Sequence, residues 1–135
     1  MAEDERLESH DSGMVLVAIP GRLTATLERT PADQAWCRLR GDVDWAAVEA
    51  LRPALEEVID SGVSPLVVDL RAVEFFDSSG LNLLLTLRTR AESAGLALEL
   101  ASLSPAVTRV FEITGAGAIF VIREPARPND SQGRT

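Results

Sequence analysis

The residues best placed to do chemistry in this chain are the paired serines of Asp77-Ser78-Ser79-Gly80, with acidic groups at Glu74 and Asp77 on the same stretch. A short apolar run at residues 66–70 (LVVDL) precedes them, and leucines at helical spacing follow, so the serines stand at a predicted helix start. Unpaired N–H groups and the positive end of the helix dipole gather at such a start, and both suit an anion. A serine there can take a phosphoryl group, gaining about −1.5 to −2 charge and three acceptor oxygens without breaking the helix. The same four residues also make an ordinary helix cap, with Asp77 either stabilising the turn or orienting the Ser78 hydroxyl. Gly80 in the first turn costs about 1 kcal/mol relative to alanine, which points to a close approach to that backbone.

Other chemistries find little support. His10 is the sole histidine and lies in an acidic lead, so the folded part offers no serine–histidine pair for a hydrolase triad. Cys37 has no histidine or cysteine beside it, which favours a buried structural role and excludes an internal disulfide. No metal-ligand cluster, no glycine-rich phosphate loop and no cofactor site stands out. The net charge is −8 and every one of the 13 basic residues is arginine. That balance argues against direct nucleic-acid binding and against anionic membranes, leaving protein partners or neutral ligands.

The elements that must position the serines follow from periodicity. Residues 1–12 are polar and expected to be disordered, and residues 1–21 are read as an N-terminal extension. Within it, residues 14–19 (MVLVAI) fit an added edge strand, a segment docked on the domain, or a segment that meets a partner. Residues 22–29 and 35–40 alternate as two strands of a hairpin. Helical spacing then runs through Trp45, Val48, Leu51, Leu55, Val58 and Ile59, with Pro53 predicting a helix that starts near Arg52 after a short turn. Residues 66–70 read as a strand covered on both faces and 71–76 as a loop bearing Phe75 and Phe76. Leu81, Leu84, Leu85, Leu87, Ala91 and Ala94 give the next helix its apolar side. Residues 96–100 form a strand, Ser104-Pro105 opens a helix, residues 118–122 form a last strand, and 125–135 read as a loose tail. The expected architecture is one α/β domain over residues 22–124 with a mixed, largely parallel sheet, in the order β-β-α-β-α-β-α-β. Trp36 and Trp45 are read as packed or half-exposed rather than as a ligand cage.

Three of these segments carry a resemblance. Phe75-Phe76-Asp77-Ser78-Ser79-Gly80-Leu81 is similar to the F-x-D-S-[ST]-G-L signature of STAS domains of the anti-sigma factor antagonist group. Gly41-Asp42-Val43-Asp44 resembles that family's G-E-[LIV]-D at a strand end. The stretch from Ser104 to Gly115 resembles its S-P-x-V-x-R-[LV]-F-x-[LIM]-[ST]-G helix. Three motifs in order over roughly residues 22 to 122 make the match specific. The chain departs from the pattern at Asn82, in its extension, and in lacking a helical sequence after the last strand.

The resemblance implies a regulatory binding module and not an enzyme. Ser78 becomes the phosphoacceptor, with Ser79 as second choice. Asp42, Asp44, Asp77, Ser79, Gly80, Leu81 and Asn82 become partner contacts. The implied partner is an anti-sigma factor with GHKL-type serine kinase activity, which the unphosphorylated antagonist binds and the phosphorylated form releases, with a cognate phosphatase resetting the cycle. A phosphate added to an already acidic rim repels an acidic partner surface and obstructs docking. The alternative is a STAS scaffold or a small-ligand or lipid-transport accessory subunit without a phospho-switch. A homodimer is possible on either reading. A single cysteine, an acidic N-terminus and the lack of any long apolar run suggest a cytoplasmic protein.

Overall fold

The computed structural model describes residues 13–123. The disordered lead and loose tail expected at 1–12 and 125–135 lie outside the described residues. Ten elements follow in order. They are β1 (Met14–Ile19), β2 (Leu23–Arg29), β3 (Ala35–Val43), α1 (Trp45–Asp60), β4 (Leu66–Phe76), α2 (Ser78–Ser93), β5 (Leu98–Ala101), α3 (Pro105–Thr114), a 3₁₀ turn (Ala116–Ile119) and β6 (Val121–Arg123). The strands form one six-stranded sheet in the order β1-β2-β3-β4-β5-β6. The first three pair antiparallel, and β3 through β6 pair parallel through the helical crossovers. Of the three readings of residues 14–19, the edge strand is the one adopted.

Alternation decides which side of the sheet is dry. Leu23, Ala25, Cys37, Leu39, Val68, Leu70 and Leu100 join Ala47, Val48, Leu51, Leu55, Leu83, Leu84, Leu87, Val107 and Phe111 in one core beneath the helices. On the other face, Trp36, Val67 and Ala101 make a small second cluster. Asp69 is buried beside it and accepts from Trp36 Nε1 at 3.2 Å and from the Arg71 amide at 3.0 Å. The central strand β4 is thus closed on both faces over 66–70, as its continuous apolar run predicts.

Several boundaries differ from the sequence reading, among them β5, which spans Leu98–Ala101 and not residues 96–100. Residues 71–76 are strand, not loop, because β3 runs on to Val43 and supplies partners for Ala72, Val73, Phe75 and Phe76 across two register shifts. Helix α1 begins at Trp45 rather than near Arg52. The Asp44 carboxylate caps it, and Ala47, Val48 and Leu51 bury its first two turns, which outweighs the hydrogen bond lost at Pro53. Pro53 sits on the exposed side, where water can meet the freed carbonyl. The last strand is displaced to Val121–Arg123 because residues 116–119 take a 3₁₀ turn after the left-handed Gly115.

Candidate functional site

Two parallel neighbours, β3 and β4, end side by side, and each hands the chain to a helix. Asp42 stands opposite Phe75 and Val43 opposite Phe76 at the last rungs of the ladder. One residue further on, Asp44 caps α1 and Asp77 caps α2. The upstream and signature motifs, some thirty residues apart in sequence, therefore share one rim of the sheet. Asp42, Asp44, Trp45, Ala46, Phe75 and Asp77 line a shallow open cleft there.

Each cap is a specific hydrogen bond. Asp44 Oδ1 accepts from the Ala47 amide at 2.9 Å, and its other oxygen pairs with Arg22. Asp77 Oδ1 accepts from the Ser79 amide at 2.9 Å. The Ser78 side chain is exposed at the first position of α2, and no hydrogen bond among the described residues fixes its hydroxyl. Ser79 is half-buried and Asn82 exposed, while Leu81 leans on the core. The carboxylates of Asp42 and Glu74 meet no arginine among the described residues.

Two glycines are required by this geometry. A Cβ on Gly80 would stand 2.5 Å from Cε1 of the Phe76 ring, so the glycine lets α2 lie on its own preceding strand. The close approach that Gly80 predicts is thus made from within the chain, by Phe76, and Gly80 itself is buried. Gly41 has φ +111°, and a Cβ there would meet the Arg22 carbonyl at 2.1 Å. That conformation carries β3 through the shift that sets Asp42 beside Phe75.

The helices behind the rim are cross-braced. Arg90 of α2 donates from Nε and Nη2 to the two oxygens of Asp60 on α1, at 2.9 and 2.7 Å, which holds the Asp60 carboxyl below its ordinary range. Arg52 on α1 donates to Thr86 on α2 at 2.8 Å. Cys37 is fully enclosed. Burial, with the nearby Asp69 charge adding to it, pushes its thiol up to about 12, so it stays protonated and unreactive. Among the described residues no group of three or more His, Cys, Asp or Glu gathers to hold a metal.

Sequence reasoning missed Trp45 and Phe75 as features of this rim. Trp45 counted toward the apolar side of α1, yet it is 66% exposed, whereas Trp36 is 3% exposed. The capping signal at Asp44 could have placed Trp45 at the first position of α1, beside the strand end that carries Asp42.

Comparisons with known proteins give the family. The family model described as Mlab, STAS domain matches residues 29–123, so the chain belongs to the STAS domain family. An anti-sigma F factor antagonist of Lysinibacillus sphaericus is 32% identical over 92 residues, covering 67% of this chain and 79% of the relative. A STAS-domain containing protein of Pseudomonas aeruginosa is 34% identical over 87 residues, covering 63% and 83%. An anti-sigma factor antagonist from Mycobacterium paratuberculosis shares the fold at a TM-score of 0.71, with 24% identity over 87% of this chain and 97% of that one. SpoIIAA, an anti-sigma factor antagonist solved in its unphosphorylated form, matches at 0.65 with 27% identity, covering 82% and 94%. Bacillus SpoIIAA in its phosphorylated form matches at 0.61, with 27% identity over 82% and 97%. Within the STAS family the chain falls with the anti-sigma factor antagonists. No helix among the described residues is long and apolar enough to cross a membrane.

Proposed function

We propose that this protein is an anti-sigma factor antagonist switched by phosphorylation of Ser78. Unphosphorylated, it binds an anti-sigma factor that is also a GHKL-type serine kinase. Phosphorylated, it is released, and a phosphatase restores it. The observation that carries this reading is the exposed, unbonded Ser78 hydroxyl at the mouth of α2, on the same rim as Asp42 and Phe75. SpoIIAA, with 27% identity, is known in both an unphosphorylated and a phosphorylated form.

The cap geometry supports the direction of the switch. Asp77 already holds the Ser79 amide, so a phosphate on Ser78 does not find that donor free. It stays outward, beside the Asp77 carboxylate, as a strongly hydrated dianion. Bringing that group under a partner costs desolvation. A loss of about 3 kcal/mol in docking lowers affinity by over a hundredfold.

The test is phosphorylation followed by mass spectrometry, using each purified GHKL-type kinase encoded in the chain's own genome with ATP. Label is expected on Ser78. Ser78→Ala is expected to bind and resist release, and Ser78→Asp to bind more weakly. Label on neither Ser78 nor Ser79 with any of these kinases would overturn the reading.

A further inference from the structure

Trp45 and Phe75 are 66% and 46% exposed, although most large apolar side chains of α1 and β4 are buried. Both line the cleft with Ala46, Asp42, Asp44 and Asp77. Lone apolar residues on a surface are unremarkable, but two aromatics facing one cleft make a patch of the kind that supplies most of the energy at protein interfaces. The cleft is also one-sided in charge. Arg22 neutralises Asp44, but no arginine among the described residues pairs with Asp42 or Asp77. Asp77 gives one oxygen to a backbone amide and keeps the other free of any hydrogen bond among the described residues.

We propose that Trp45 and Phe75 are the apolar anchors that hold the anti-sigma partner, which brings an apolar side chain flanked by arginine or lysine. The apolar side chain seats between the two rings, and the basic groups meet Asp42 and Asp77. This rests on the function proposed above and adds residues that none of the three motif resemblances singles out as contacts. Where the sequence reading expects an acidic partner surface, this surface is basic, so release follows from hydration of the apolar contact and not from repulsion. Ser78 follows Asp77 directly, so a phosphate there hydrates the margin of the apolar contact.

Tryptophan emission reads the contact on the unmodified chain. Trp36 is 3% exposed and Trp45 66%, so a seated partner shifts the Trp45 emission to the blue and leaves Trp36 unchanged. The full chain is titrated with each purified GHKL-type kinase of its own genome, in Mg-ADP so that no phosphate moves. Wild type is expected to bind with a blue shift. Trp45→Ala and Phe75→Ala are each expected to weaken binding about thirtyfold, with far-UV circular dichroism unchanged. Asp42→Asn is expected to weaken it less and to flatten its dependence on salt. If wild type binds without an emission shift, or the two alanine variants bind within about twofold of it, the anchors are wrong and the phospho-switch stands. If wild type binds none of the kinases, the functional reading falls and the anchors fall with it.

Discussion

Two helices of this protein begin with a serine near a cap, and the two serines have opposite fates. At α3, Ser104 is itself the cap. It is 4% exposed, its Oγ accepts from the Val107 amide at 3.3 Å, and Pro105 follows at the first helical position. At α2 the capping is done one residue earlier by Asp77, so Ser78 carries no structural duty and faces solvent. The same residue type at nearly the same place is locked in one case and free in the other. What frees Ser78 is the aspartate before it, and that makes the Asp-Ser pair the chemically meaningful unit.

Substitutions can break or sharpen this contrast. The largest effect is expected at Gly80→Ala, which drives a methyl group into the Phe76 ring. Allowing for the better helix propensity of alanine, a net loss of about 2 kcal/mol is expected in urea denaturation. Ser104→Ala should follow at about 1.5 kcal/mol, because it strands a buried amide. Asp77→Ala should cost about 1 kcal/mol, as loss of a more open cap. Ser78→Ala should stay within about 0.5 kcal/mol of wild type. A Ser78→Ala variant destabilised as much as Ser104→Ala would erase the distinction and make Ser78 a structural residue.

Much of the site was legible because local rules govern it. Residues 66–70 read correctly as a doubly covered strand, and Asp77-Ser78 as a helix start, since both depend on a few neighbouring side chains. The alternation of residues 22–29 set Leu23, Ala25 and Leu27 on one face, of which Leu23 and Ala25 are buried and Leu27 half-buried. What stayed hidden depends on distant partners. The extension of β4 to Phe76 is dictated by β3 and interrupted by register shifts, which blur the alternation at Arg71, Ala72 and Val73. The need for glycine at position 80 comes from where the Phe76 ring lies, itself tilted against Phe111 with centroids 6.3 Å apart. The pairing of Asp44 with Arg22 joins two elements across a hairpin, and no local pattern announces it. Trp45 misled because helical spacing counts a tryptophan as apolar wherever the helix begins.

The ladder between the last residues of β3 and β4 has a kinetic consequence. Asp42 and Phe75 are held by backbone pairing up to the rim, and both helix starts behind them are capped. A visitor meets a surface whose shape is settled beforehand, so little motional freedom is lost on contact. Encounter rates should then be set by diffusion and orientation rather than by waiting for a loop to rearrange, and regulation can act on how long the visitor stays.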